Sequence, residues 1–102
     1  LGGLGLTLPQ EQEWAEGVHH LYVVRHPARE AVMSRLGEAG VGCLIHYPVP
    51  LHRQEVFRDS PSRHGAFPVS DHIAARVLSL PMFPEIAEEE ILTISGVING
   101  SA

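Results

Sequence analysis

The chain has 102 residues, 44% hydrophobic and only 19% charged, a balance that excludes a disordered segment and suits one domain with its own core. Its formal charge is −5 and its basic residues, all arginine, stand singly, so nucleic acid is not an expected partner. No apolar run approaches the roughly 20 residues that span a bilayer, and Leu1–Leu8 lacks the basic flank of a signal peptide, so the expectation is a cytoplasmic protein without a membrane partner.

Leu1 to Thr7 alternates Leu with Gly, and Gly weakens helix and strand alike, so residues 1–17 read as a loose connector before a folded domain at 18–102. Gly3-x-Gly5 lacks the third Gly, the preceding strand and the following helix of a dinucleotide loop. Within the connector, Trp14 is the expected anchor against the domain. Val18–Arg25 alternates as a first strand, and His26-Pro27 ends it. Ala28, Val32, Leu36 and Ala39 recur at helical spacing, which predicts a helix from Pro27 to Ala39 with Gly40 as a left-handed stop.

Val41–Tyr47 is an apolar second strand that must end at Pro48, because proline cannot donate to a ladder. One helical turn is expected at Gln54–Arg58, then a surface loop over Asp59–Gly65. Ser70 reads as the N-cap of a second helix over Asp71–Val77. Leu78–Phe83 is a third strand limited by Pro81, and Glu88-Glu89-Glu90 opens a last helix with Ile91, Ile94, Val97 and Ile98 on its apolar side.

This order gives an α+β, two-layer fold: a small three-stranded, mainly antiparallel sheet of split β-α-β type, covered on one face by helices. The third strand is expected between the first two, with the first and second helices on the covered face. Leu21, Val23, Val41, Leu44, Val77 and Leu80 are the expected core.

The chemistry concentrates at the end of the second strand. His46, Tyr47 and His52 lie within seven residues on a loop stiffened by Pro48 and Pro50, a setting suited to recognition of a polar ligand. Arg25 and Arg53 are candidate contacts for an anion such as a phosphate. A metal is not expected: His19 and His20, as strand neighbours, point to opposite faces, and His46 with His52 lacks a nearby third ligand. Cys43 is a lone thiol expected to be buried and inert. The chain has no lysine, so no side chain can form a Schiff base, and no catalytic, cofactor-binding or metal residue is assigned.

Several runs resemble one family in order and spacing. They are His20-Leu21-Tyr22-Val23-Val24-Arg25, Leu36-Gly37-Glu38-Ala39-Gly40-Val41-Gly42, His46-Tyr47-Pro48-Val49-Pro50-Leu51-His52, Phe67-Pro68-Val69-Ser70-Asp71 and Leu78-Ser79-Leu80-Pro81-Met82-Phe83-Pro84. The chain is similar to the C-terminal small domain of the DegT- and StrS-type nucleotide-sugar aminotransferases, of the aspartate-aminotransferase fold type. Departures are Ala87, where the family usually has a Ser or Thr cap, and a Gly-rich tail over Ser95–Ala102.

The resemblance implies amino transfer to a nucleotide-linked keto-sugar, with pyridoxal phosphate as cofactor of a full-length parent and none bound by this chain alone. It implies that the cofactor lysine belongs to a large N-terminal domain absent here, that two subunits share each site in a homo-oligomer, and that His46, Tyr47 and His52 face the nucleotide sugar. The competing reading is an independent small ligand-binding or interaction module without catalysis.

Overall fold

A computed structural model of the chain describes residues 5–61 and 65–100. Its elements are strand β1 (Tyr22–Arg25), helix α1 (Arg29–Glu38), two short 3-10 turns (Leu51–Arg53 and Glu55–Phe57), helix α2 (Pro68–Ala74), strand β2 (Val77–Leu80) and helix α3 (Glu88–Asn99). The strands form a two-stranded antiparallel sheet with Tyr22 opposite Leu80 and Arg25 opposite Val77.

The expected second strand, Val41–Tyr47, is reduced to one antiparallel bridge. Leu44 donates to the Ser79 carbonyl at 3.2 Å and accepts from the Ser79 N–H at 2.7 Å, on the side of β2 away from β1. Gly42 before this point and Pro48 after it leave few residues for a longer ladder, so among the described residues Val41–Tyr47 forms no strand. Thr7 bridges to Arg25 through bonds of 2.9 and 3.0 Å, and Leu6 and Leu8 pack on the core, so the connector is tied to the sheet where it passes β1. Its residues 1–4 lie outside the described residues, as do residues 62–64 of the predicted loop.

The core joins one face of the sheet to two helices: Val24 from β1, Val32 and Leu36 from α1, Leu78 and Leu80 from β2, and Ile94, Val97 and Ile98 from α3. This corrects the expected packing. Helices α1 and α3 cover the sheet, while α2 buries only Ala74 because its remaining apolar side chains, Val69 and Ile73, face outward. It also corrects part of the expected core. Leu21 precedes β1 and is 40% exposed, Leu44 is 65% exposed, and Val23 is only half-buried, because Val24 takes the inward position of β1. Val77 and Leu80 are buried as expected, and Val41 packs at the margin. Trp14 does not anchor the connector, since it is 85% exposed.

Local sequence explains the element ends. Gly40 has φ +76, and the bonds from Gly40 to the Gly37 carbonyl and from Val41 to the Leu36 carbonyl close α1 with a Schellman motif. The first strand is shorter than expected because His19 takes a left-handed φ of +50 and pairs with Glu11 at 3.3 Å, so His19 and His20 are not strand neighbours. Helix α2 starts three residues earlier than expected: Pro68 fills its first turn with φ already preset, and Ser70 lies inside it rather than at the cap. In α3 the Glu90 carboxylate accepts from the Ala87 N–H at 2.8 Å, so one half of a capping box survives although Ala87 offers no side-chain oxygen. Gly100, at φ +75, stops the helix.

Arg29 joins the start of α1 to the turn before β2. Its Nη1 donates to the Ala74 carbonyl at 2.6 Å and, more weakly, to that of Val77 at 3.4 Å. The segment from α2 through β2 is therefore held from the α1 side as well as through the sheet, and it is this segment that fastens the candidate site.

Candidate functional site

The Leu44 bridge fixes the chain just before His46. The imidazole Nδ1 of His46 lies 2.8 Å from the Ser79 hydroxyl, and Ser79 is a buried polar residue at 5% exposure in a strand that is otherwise apolar. The peptide joining His46 to Tyr47 is cis, and the two rings meet edge to face at 5.4 Å. Tyr47 is 71% exposed, so its phenol stands in solvent beside a half-buried imidazole.

Pro50 then turns the chain into the Leu51–Arg53 turn, closed by the Arg53 N–H on the Pro50 carbonyl at 2.9 Å, while the Gln54 amide caps the Val49 carbonyl at 3.0 Å. These bonds point His52 and Arg53 at α2. Arg53 donates from Nε to Asp71 Oδ1 at 2.8 Å and from Nη2 to Oδ2 at 3.2 Å, the two-pronged geometry that a guanidinium offers a carboxylate. His52 Nε2 reaches the same Oδ1 at 3.2 Å, and its ring lies 4.8 Å from that of Phe67. His52, Arg53, Phe67, Pro68 and Asp71 line an open cavity of about 470 Å³.

Electrostatics follows from these contacts. The Arg53 hydrogen bond, helped by the Arg53 and His52 charges, holds the Asp71 carboxyl below its ordinary value against a smaller opposing effect of burial. The same bond raises Arg53 further. Cys43 is half-buried rather than buried as expected, and that burial pushes its thiol up, which disfavours the thiolate.

The structure thus brings four of the five candidate residues onto one loop fastened at two points, His46 to β2 and His52 with Arg53 to α2. It does not join His46 to His52, since their partners differ. Among the described residues, no three His, Cys, Asp or Glu side chains gather as a metal would need. Arg25 lies apart: its cavity, of about 400 Å³ with Thr7, Val23, Ile73 and Val77, shares no lining residue with that of His52 and Arg53.

Sequence reasoning missed both fasteners. Asp71 stands in the sequence only as the start of the expected second helix, and its distance from Arg53 hides the pair. Ser79 carried a signal, because a lone hydroxyl inside an apolar run needs a buried partner.

The family model of the DegT/DnrJ/EryC1/StrS aminotransferase family matches residues 1–99. The chain belongs to this family. It is 43% identical over 98 residues to the UDP-N-acetyl-3-dehydro-alpha-D-glucosamine 3-aminotransferase of Acidithiobacillus ferrooxidans, covering 96% of this chain and 26% of that protein. It is 37% identical to the dTDP-3-amino-3,6-dideoxy-alpha-D-galactopyranose transaminase of Aneurinibacillus thermoaerophilus, over 92% of this chain and 25% of that one. Among solved structures it superposes on Streptomyces venezuelae DesV in complex with a ketimine intermediate with a TM-score of 0.89, at 31% identity over 97% of this chain and 27% of DesV. This DegT/DnrJ/EryC1/StrS chain therefore spans about a quarter of the length of the relatives it matches. No helix among its described residues is long and apolar enough to cross a membrane.

Proposed function

We propose that this chain is the small domain of a nucleotide-sugar aminotransferase and that the loop from His46 to Arg53 forms part of its sugar-nucleotide pocket. The observation that carries the reading is the two-point fastening of that loop in a member of this family: His46 on Ser79, and His52 with Arg53 on Asp71. A loop held in this way presents an imidazole and an exposed phenol in fixed positions. Neutral groups of that kind hydrogen-bond sugar hydroxyls or phosphate oxygens without carrying a fixed charge into a closing site. Arg53, already paired, adds net positive character only to the extent that Asp71 leaves it uncompensated, and Arg25 enters as a second, separate anion contact at the edge of β1.

Pyridoxal phosphate, which this family generally uses, is held as a Schiff base on lysine, and this chain has none. We therefore assign none of its residues to the cofactor and place the lysine in another domain of a full-length cytoplasmic enzyme that works as a homo-oligomer. The role left to this chain is to bind and orient the nucleotide sugar. The test is equilibrium binding of the nucleotide sugar to the aminotransferase that carries this chain: His46→Ala should weaken it about tenfold or more, while an unchanged affinity would remove the loop from the pocket.

A further inference from the structure

Ser79 fastens the loop of the pocket proposed above without lining it, and it is the buried polar residue of the core strand. Both its backbone groups are spent on Leu44, the N–H at 2.7 Å and the carbonyl at 3.2 Å, so only the hydroxyl is left to act. Among the described residues the partner of that hydroxyl is His46 Nδ1, at 2.8 Å. A neutral imidazole carries one proton, on either Nδ1 or Nε2, and the bond to Ser79 runs in opposite senses in the two cases.

If Nδ1 carried the proton, it would donate to Ser79 Oγ, and the serine O–H would be left without an acceptor in a buried position, which costs about 1–3 kcal/mol. If Ser79 donates to Nδ1, both groups are satisfied, and the ring's one proton sits on Nε2. No described protein group bonds to that nitrogen.

We infer that Ser79 is a positioning residue that fixes His46 as the Nε2–H tautomer, so that His46 offers the pocket a hydrogen-bond donor matched to an acceptor oxygen of the ligand. The inference deepens the sugar-nucleotide reading and rests on it for the identity of the ligand, but the tautomer itself is a property of this chain. It also accounts for the serine in Leu78-Ser79-Leu80-Pro81, a position where the other three residues are explained by packing and strand ending alone.

The test uses the chain itself, with long-range proton–nitrogen correlation spectra of its imidazoles at a pH where His46 is neutral. In the wild type, His46 should show a protonated Nε2 and an unprotonated, hydrogen-bonded Nδ1. Ser79→Ala should move the Nδ1 resonance and leave the ring averaging between tautomers, while Ser79→Thr, which keeps a hydroxyl on a residue suited to a strand, should restore the wild-type pattern. A protonated Nδ1 in the wild type, or a spectrum unchanged in a folded Ser79→Ala, would overturn the inference. A fixed Nε2–H tautomer together with unchanged nucleotide-sugar affinity in His46→Ala would uphold the role of Ser79 while removing the sugar-nucleotide reading.

Discussion

Asp71 receives Arg53 on both carboxylate oxygens, at 2.8 and 3.2 Å, and so ties the Leu51–Arg53 turn to the first turn of α2. The pair lowers the Asp71 carboxyl, with the Arg53 hydrogen bond as the chief cause. A carboxyl whose folded value is depressed contributes fully above its ordinary unfolded value and loses that contribution as pH falls through the folded one. The Arg53 Nε–H signal should therefore be protected from exchange at neutral pH and fade only below the ordinary carboxylate range. In Asp71→Ala, which leaves no side-chain oxygen to accept it, the signal should be unprotected throughout, and equal protection in the two proteins would show that the clasp does not form.

The buried face makes a second prediction. Leu36 is fully buried between sheet and helix α3, and Leu36→Ala should lower stability by about 2–5 kcal/mol in denaturant unfolding. Val24→Ala should cost about 2 kcal/mol, from roughly 0.8 kcal/mol per buried methylene plus the cavity left behind. Leu21→Ala, at an exposed position, should change little. A larger loss for Leu21 than for Val24 would mean that β1 turns its other face to the core.

The absence of lysine predicts a chemical result. After incubation with pyridoxal phosphate and borohydride reduction, peptide mapping should find no side-chain adduct on this chain. An adduct anywhere but the terminal amine would contradict the assignment of the cofactor to another domain.

Apolar surface is left open after β2 and at the start of α3. Met82, Phe83, Ile91 and Leu92 are each more than a third exposed, beside an apolar cavity of about 230 Å³ lined by Tyr22, Leu80, Ile86 and Ile94. The chain on its own should self-associate with rising concentration in sedimentation runs, and Leu92→Glu should weaken that association. A strictly monomeric profile at high concentration would count against it.

Much of this fold was legible because punctuation in the sequence is strong. Gly40 and Gly100 mark helix ends by a positive φ, Pro48 and Pro81 end extended runs, and Glu88 to Glu90 open α3. What failed was the choice of face and partner. Leu21 and Val23 alternate as plausibly as Tyr22 and Val24, and the side on which α1 and α3 pack decides which pair turns inward. The second strand misled because an apolar run such as Val41–Ile45 reads as buried whether it forms a ladder or a single bridge. His46, Tyr47, His52 and Arg53 were legible as a loop cluster, whereas Asp71 and Ser79 lie 18 and 33 residues from the side chains they hold, beyond the reach of local pattern.

The central claim, that the loop positions the nucleotide sugar, is tested most directly by measuring the two half-reactions separately in the aminotransferase that carries this chain. His46→Ala and Tyr47→Phe should lower kcat/KM for the nucleotide sugar by roughly 10–100-fold, about 1.4–2.7 kcal/mol, and leave the half-reaction with the amino donor nearly unchanged. If both half-reactions fell together with loss of cofactor, or if neither changed, the claim would be contradicted.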